Sequence, residues 1–592
     1  MRLRTWHRRG WPAVAAAAGA ALSLGLAACG SGGGSGGAAK GAGYNAGLAG
    51  VVNPSSAKGG TLTFDNALDF DSADPGNTYY GWSLNMARLW SRTLVTWKSA
   101  PGQAGYQIAP DLATNTGQVS PDGLTWTYNL KPGLKLEDGE TITSQMIKYA
   151  VERTNSYGTP LSNGPVYFGQ FLADPTYPGA YKDKTPGKMG LSGVTTPSPT
   201  EIQFHLSTPM SEFPYILAFS EEDAPVPPAK DTGVNYMKHP LSSGPYKFSS
   251  YTLGKQLVLV PNTQWNASSD PNRKQLANKI VLNLNMNPDD VDNRLLAGDA
   301  NIDAQGAGVQ AAAEAKILKN PSLKASSDDP VQNRTWYAAL NTQVPPMDNL
   351  HCRQAVEYAT NHTNMVNAYG GDVGGQLAPN MMPSVIPGAA KNSYDPYEFL
   401  SKPNGDVNKA KQELQACGHP NGFSTNISYR TDKPRDTAAA QALQASLTQV
   451  GIKTDLQGYT SGQGSSNSGT PDVAKRKGWG IQVYGWGADW SSGFGFMWAI
   501  ADGKAIAKSG NSNLSMLNDP QLNALFDQAL KTTDTSARNA IYTQIDKKVT
   551  DDAAFVPFIW SKALMYHSPS TANVYYQPQL AQYNYAVLGV KK

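Results

Sequence analysis

The stretch of the chain best suited to chemistry is residues 484–498, where aromatic side chains surround one carboxylate. Aromatic residues stand at positions 484, 486, 490, 494, 496 and 498, and Asp489 lies among them. A carboxylate in an aromatic wall can pair with a cationic group of a ligand, and indole faces add cation–π attraction. Small residues at 485, 487 and 488 leave room for a close approach of the backbone. The segment therefore indicates a binding pocket, or else an aromatic core strand in which Asp489 caps a turn.

Other kinds of chemistry have little support in the residue pattern. The seven histidines are scattered without metal-ligand spacing, and the chain has no HExxH, no paired CxxC and no P-loop. No nucleophile is recognisable beside a base, although catalytic triads assemble in space and not along the sequence. The pattern predicts a binding protein that is not an enzyme and that uses no metal or cofactor.

The elements that must position these residues alternate between strand-like and helical patterns, which predicts an α/β or α+β architecture. Strands are predicted at 61–64 and 124–130. Helices are predicted at 144–154, with Thr143 as the N-cap, and at 352–366, 407–416, 437–450 and 521–530.

The composition is that of a large, loop-rich globular protein. Among 592 residues, 40% are apolar and 16% are charged, with 58 Gly and 40 Pro. This length predicts several domains or lobes. The 49 basic and 46 acidic residues are interspersed without long single-sign runs, which argues against nucleic acid as a partner.

The first residues have the pattern of a bacterial export signal. Arginines precede an apolar run from residue 11 to residue 26, which is too short to span a membrane, and Cys29 follows Leu-Ala-Ala as in a lipobox. Residues 1–28 are therefore predicted to be a signal peptide, and Cys29 to carry a lipid at the outer face of the cytoplasmic membrane. A plain secretory signal is the alternative. Arg8-Arg9 leaves twin-arginine export open, although Sec export is favoured. Residues 29–58, rich in Gly, Ser and Ala, are predicted to form a flexible tether.

Two cysteines remain after the lipidated one, and both lie on predicted helices. Cys352 and Cys417 form an even number in an oxidising compartment, so a disulfide between them is permitted. Two buried free thiols are the alternative.

Ten short segments, taken in their order along the chain, resemble the solute-binding proteins of the peptide and nickel class of ABC importers. The resemblance runs from residue 60 to residue 557 and rests on the segments 108–113, 120–126, 134–139, 243–246, 295–303, 345–346, 353–355, 451–452, 485–489 and 556–557. It implies a two-lobed, type II periplasmic-binding-protein-like α/β fold that closes around its ligand, with an extra α+β domain in the first lobe. Lobe I would comprise 59–88, 211–330 and 559–592, the extra domain 89–210, and lobe II 331–558.

The same resemblance implies roles for the aromatic segment. Asp489 would take the α-ammonium of a peptide and Trp486 would line the pocket, with Tyr484 and Trp490 beside them. Trp490 departs from the family pattern, in which a small, acidic or proline residue follows the aspartate, so a reshaped pocket and a ligand other than an ordinary peptide stay open.

The implied partners are a small-molecule or peptide ligand, an ABC permease with its ATPase, and the membrane through the lipid, with the protein acting as a monomer. Nickel-chelate binding is an alternative. Two further alternatives are a secreted enzyme on an α/β scaffold and a sensor lipoprotein that kept the fold without transport.

Overall fold

The computed structural model describes residues 43–464 and 466–591. The predicted signal peptide, Cys29 and the predicted tether up to residue 42 lie outside the described residues. No described helix is long and apolar enough to cross a lipid bilayer.

Helices and strands alternate along the described residues. The α-helices are α1 (Gly81–Ala87), α2 (Ser144–Glu152), α3 (Tyr167–Phe171), α4 (Phe213–Ser220), α5 (Pro288–Ala297), α6 (Ala311–Lys319), α7 (Pro321–Lys324), α8 (Leu350–Ala359), α9 (His362–Ala368), α10 (Gly371–Gly374), α11 (Val407–Ala416), α12 (Pro434–Thr448), α13 (Pro471–Arg476), α14 (Gly493–Ala501), α15 (Pro520–Lys531) and α16 (Thr535–Asp551). The strands are β1 (Thr61–Asp65), β2 (Val95–Trp97), β3 (Ile108–Pro110), β4 (Gln118–Val119), β5 (Thr125–Asn129), β6 (Val194–Ser198), β7 (Glu201–His205), β8 (Tyr246–Thr252), β9 (Gln256–Pro261), β10 (Lys279–Asn283), β11 (Ile302–Asp303), β12 (Ser327–Asp328), β13 (Val331–Leu340), β14 (Gly375–Leu377), β15 (Ser424–Arg430), β16 (Lys453–Tyr459), β17 (Ile481–Gly487), β18 (Phe555–Lys562), β19 (Met565–Tyr566), β20 (Thr571–Ala572), β21 (Tyr576–Gln577), β22 (Gln582–Tyr583) and β23 (Gly589–Val590).

A five-stranded sheet in the order β11-β1-β10-β9-β8 lies in the part of the chain predicted to form lobe I. β1 pairs in parallel with β10 and β11, while β8, β9 and β10 form antiparallel pairs. Leu62 and Phe64 alternate with more exposed residues along β1 and are buried. Such alternation places every second side chain on the core face of a sheet.

A four-stranded antiparallel sheet in the order β4-β5-β7-β6 lies within residues predicted to form the extra domain. The predicted alternation of β5 is confirmed, since Trp126 and Tyr128 are buried and their neighbours are partly exposed. α2 begins directly after Thr143 as predicted, but the Thr143 side chain makes no capping hydrogen bond.

A six-stranded mixed sheet in the order β14-β18-β13-β17-β15-β16 lies in the part predicted to form lobe II. β13 pairs antiparallel with both β17 and β18, and β15 pairs in parallel with β16 and β17. These mixed sheets with interspersed helices agree with the predicted α/β class. The numerical boundaries of the lobes and of the extra domain stay a prediction.

Residues 43–58, here called the N-terminal strap, are bound to the folded body. Val52 is buried and pairs with Val574, and the Asn53 side chain donates to the carbonyl of Thr571 at 2.9 Å. The backbone N–H of Asn45 donates to the carbonyl of Ser327 at 3.0 Å. The prediction of a flexible tether is therefore wrong for residues 43–58, because an apolar side chain and polar anchors fix a segment that composition alone marks as flexible.

The permitted disulfide is present in the structure. Cys352 of α8 and Cys417, directly after α11, are bonded with their Cα atoms 5.3 Å apart. Both side chains are buried in the core beneath the six-stranded sheet. The bond therefore joins two helices that pack against each other.

One apolar core extends from the four-stranded sheet to helices α14–α16. Phe168 and Phe213 belong to the same buried cluster as Phe494 and Phe526. The buried carboxylate of Glu212 adds a polar link to the part predicted to form lobe II, because it accepts hydrogen bonds from Ser492 at 2.6 Å and Tyr542 at 2.8 Å. The parts of the chain predicted to form the extra domain, lobe I and lobe II thus share one core.

Candidate functional site

A cleft opens at one edge of the six-stranded sheet. Because β15 is parallel to β17 and β13 is antiparallel to it, the start of β13 meets the ends of β15 and β17. The ends of such strands are frequent places for ligands in α/β folds. Arg334 and Trp336 of β13, Arg430 of β15, and Tyr484 and Trp486 of β17 line a cavity of about 650 Å³ here. We call this cavity the arginine chamber.

Two glycines of β17 make this arrangement sterically feasible. Gly485 lies opposite Trp336 and Gly487 opposite Arg334 in the antiparallel register. A Cβ atom at 485 would overlap the Trp336 indole, and one at 487 would lie 2.9 Å from Nη2 of Arg334. The small residues recognised in the sequence therefore leave room for two cross-strand side chains.

Asp489 follows β17 and is bound by hydroxyl groups from elsewhere in the chain. Its Oδ1 accepts a hydrogen bond from the Tyr79 hydroxyl at 2.6 Å, and its Oδ2 accepts one from the Tyr167 hydroxyl. Burial raises the pKa of the Asp489 carboxyl, and the two hydroxyl donors partly oppose this effect. These hydrogen bonds connect the loop before α1 and helix α3 to the segment that follows β17.

The position of Tyr79 is fixed by Asp71. The carboxylate of Asp71 accepts from the backbone N–H groups of Tyr79 at 2.5 Å and Tyr80 at 3.1 Å. The Thr78 hydroxyl donates to the same carboxylate at 2.5 Å. The Asp71 carboxylate therefore fixes the backbone at Tyr79, although 42% of Tyr79 is exposed.

A second cavity of about 660 Å³ adjoins the arginine chamber at Asp489. Its wall comes from residues 164–171, from the end of α14 and from residues 504–512. Tyr79, Trp486 and Asp489 line both cavities. We call this second cavity the aromatic chamber, since Tyr167, Phe171, Trp486 and Trp498 line it.

The arginine chamber contains cationic side chains of two kinds. Arg430 pairs with Asp436 at 2.6 Å, and Lys562 pairs with Asp329 at 2.5 Å. Arg334 has no carboxylate within ion-pair distance among the described residues, and its guanidinium lies 5.6 Å from the Trp336 ring. Burial and the neighbouring Arg430 charge lower the pKa of Arg334.

Three of the four predicted pocket residues line the cleft. Asp489 and Trp486 face both chambers, and the Trp486 indole N–H donates to the carbonyl of Phe496 at 2.8 Å. Tyr484 lines the arginine chamber, with its ring 4.4 Å from the Arg430 guanidinium.

The prediction that Trp490 lines the pocket is wrong. Its side chain is 0% exposed and lines neither chamber. The indole N–H donates to Oε2 of Glu212 at 2.7 Å, and the ring packs 5.2 Å from that of Tyr167. Because a buried carboxylate holds the indole, Trp490 supports the wall from behind and leaves the pocket open.

Sequence reasoning missed Tyr79, Tyr167 and the arginines. These residues are far from Asp489 along the chain and reach it only through the fold. The described residues contain no group of three His, Cys, Asp or Glu side chains placed to hold a metal ion.

The family model described as "Bacterial extracellular solute-binding proteins, family 5 Middle" matches residues 107–508. The match covers more than half of the chain, and the chain belongs to this family. It is an extracytoplasmic solute-binding component of an ABC importer, with a two-lobed type II fold.

Individual relatives match over nearly the whole chain. A solved structure named "Clavulanic acid biosynthesis oligopeptide binding protein 2" is 36% identical, with a TM-score of 0.89, and the match covers 93% of this chain and 99% of that chain. The probable D,D-dipeptide-binding periplasmic protein DdpA of Escherichia coli K12 is 25% identical over 534 residues, 88% of this chain and 90% of that protein. The murein tripeptide binding protein MppA, in an unliganded open form, shares the fold at a TM-score of 0.71 and 20% identity, over 91% of this chain and 98% of that chain.

Proposed function

We propose that the arginine chamber captures a small peptide or peptide-like zwitterion, with the ligand's ammonium group on Asp489 and its carboxylate on Arg334. The lobes close around this ligand, and the protein delivers it unchanged to a membrane permease. One observation carries the proposal: the wall of a single cleft holds an anion and a cation, and neither has an ion partner among the described residues.

The electrostatics of the two groups favour a ligand with opposite charges at its two ends. Asp489 is held by neutral hydroxyls, and burial raises its pKa. Burial lowers the pKa of Arg334. A charge removed from water costs free energy unless an opposite charge or several hydrogen bonds compensate it. A zwitterion compensates both sites at once.

The paired cations orient the ligand. Arg430 and Lys562 already have carboxylate partners, so they add positive potential without being free for a full ion pair. The ligand's anionic end therefore lies toward the arginines, and its cationic end lies toward Asp489. The names of the relatives, which refer to dipeptides and oligopeptides, support this ligand class.

The proposal also covers the partners of the protein and its location. Its partners are an ABC permease and ATPase, and a lipid on Cys29 tethers a monomeric protein to the outer face of the cytoplasmic membrane. The protein binds and releases its ligand without turnover. The lipobox pattern at residues 26–29 supports the anchoring, and membership of a binding-protein family supports the absence of catalysis.

Matched tripeptides test this function by isothermal titration calorimetry. A peptide with both ends free is expected to bind, and N-acetylated and C-amidated forms of the same peptide are expected to bind about 10-fold more weakly or worse, because each lacks one charge. Mass spectrometry of the peptide after incubation is expected to show it intact. Equal binding of all three forms, or no binding of any, would contradict the proposal. Cleavage of the peptide would favour the enzyme alternative.

A further inference from the structure

The aromatic chamber gives a bound ligand room beside Asp489 in a cavity that no arginine among the described residues lines. Because Asp489, Tyr79 and Trp486 line both cavities, an ammonium group on Asp489 lies at their junction. Each cavity is about 650 Å³ or more, within the range typical of small-ligand sites. A ligand anchored at the junction can therefore place one group in each chamber.

The walls of the aromatic chamber are more apolar than those of the arginine chamber. Trp498 stacks on Phe494, with ring centroids 5.3 Å apart, and lies 6.0 Å from Phe171. Val166 is 43% exposed although its side chain is apolar. Apolar surface of this kind in a concave site is stabilised when a ligand removes it from water.

The charged residues that line each chamber decide which part of the ligand it can hold. Of the described residues that line the aromatic chamber, only Asp489 and Lys504 are charged. The Lys504 ammonium is exposed and pairs with Asp527 at 2.5 Å. An apolar group in the arginine chamber would cover guanidinium groups and remove them from water, which costs free energy. The aromatic chamber carries no such cost.

We infer that the aromatic chamber is a subsite for a bulky apolar or aromatic group that the ligand carries next to its ammonium. The preferred ligands are then peptides, or peptide-like zwitterions, whose first residue has a large apolar side chain. The inference rests on the proposed function for the position of the ammonium, and it adds a chemical preference at the amino-terminal residue.

A series of tripeptides that differ only in the first residue tests the preference by calorimetry. Phe-Gly-Gly and Leu-Gly-Gly are expected to bind at least about 10-fold more tightly than Gly-Gly-Gly, because their first side chains leave water for apolar walls. Equal affinities for the three peptides would overturn the subsite and leave the proposed function standing. A failure of all three peptides to bind would overturn both.

Two variants of the chamber locate the preference in the structure. Trp498→Ala removes an aromatic wall, and Val166→Asn makes an exposed loop position polar with little risk to folding. Each is expected to reduce the ratio of Phe-Gly-Gly to Gly-Gly-Gly affinity from at least about 10 to below about 3. Tyr80→Ala is the matched control, since Tyr80 is 49% exposed and lines neither chamber, and it should keep the ratio. An unchanged ratio in both chamber variants, with melting temperatures like that of the wild type, would overturn the inference.

Discussion

Asp489 is the residue on which the proposed recognition depends most directly. Asp489→Asn keeps the shape of the side chain and removes its charge, so the ligand ammonium loses a partner that is partly withdrawn from water. We expect affinity for a peptide with free ends to fall about 10-fold or more, which corresponds to about 1.4 kcal/mol or more. Calorimetry measures the affinity, and a thermal melt shows whether the variant is folded. Wild-type affinity in a folded variant would rule out this role.

The protonation of Asp489 makes a second prediction at the same scale. Burial raises its pKa in the free protein, and a bound ammonium favours the ionised carboxylate, so the complex holds fewer protons than the free protein. Affinity is therefore complete above the pKa of the free protein and falls as the pH falls through it. Titrations from neutral to acidic pH should show this loss for the wild type and a flat profile for Asp489→Asn. Parallel profiles would show that another group controls the pH dependence.

Residue types in the sequence indicated part of this site. The other residues could not be predicted, because only the fold brings them to the cleft. Asp489, Trp486 and Tyr484 are close along the chain, so their clustering was visible before folding. Arg334 and Arg430 lie on separate strands and meet only because of the register of β13, β15 and β17. Trp490 has the same chemistry as Trp486, but only the buried partner Glu212 reveals that it points away from the cleft.

At the scale of elements, β17 brings its side chains to the cleft only because glycines leave space beside it. Gly485→Ala would push a methyl group into the Trp336 indole. We expect a loss of about 1–3 kcal/mol in the free energy of unfolding, as is usual for overpacking, together with weaker ligand binding.

Gly462→Ala is the matched control for this change, since a Cβ atom there meets nothing within 4 Å. Chemical denaturation and calorimetry measure the two effects. Equal stability of the Gly485 variant and the control would show that the indole can move aside.

The disulfide also stabilises the arrangement of elements, because it joins α8 to the residue directly after α11. The cysteines are 65 residues apart, and replacement of both by serine should lower the free energy of unfolding by about 2–4 kcal/mol. Neither cysteine lines a chamber, so peptide affinity should stay within about 2-fold of the wild type. Denaturation and calorimetry on the double variant check both expectations. A large loss of affinity without a loss of stability would contradict them.

The helix boundaries show where local sequence patterns were enough to predict the structure and where they were not. The predicted helix at 407–416 is confirmed as α11, whose apolar side meets α8 in the core. The predicted helix at 352–366 is two helices, because the chain turns at Thr360 and Asn361 begins α9 by accepting from the backbone N–H of Asn364 at 3.0 Å. Asn361 was the local signal for this break.

At the scale of the whole molecule, the lobes are less independent than a simple hinge implies. The four-stranded sheet and helices α14–α16 share one apolar core, and Glu212 is hydrogen-bonded across it. Opening that separated these elements would expose the core to water and leave polar groups without partners. Motion that opens the cleft is therefore expected where this core is absent, between the six-stranded and five-stranded sheets.

The N-terminal strap also determines how the molecule can be held. Val52 and Asn53 contact residues 571 and 574, while Lys591 donates to the carbonyl of Ser570 at 2.7 Å. Val52, Asn53 and Lys591 thus all contact the short segment 570–574. A molecule immobilised through the strap or through Lys591 would therefore be held through the part of the chain predicted to form lobe I.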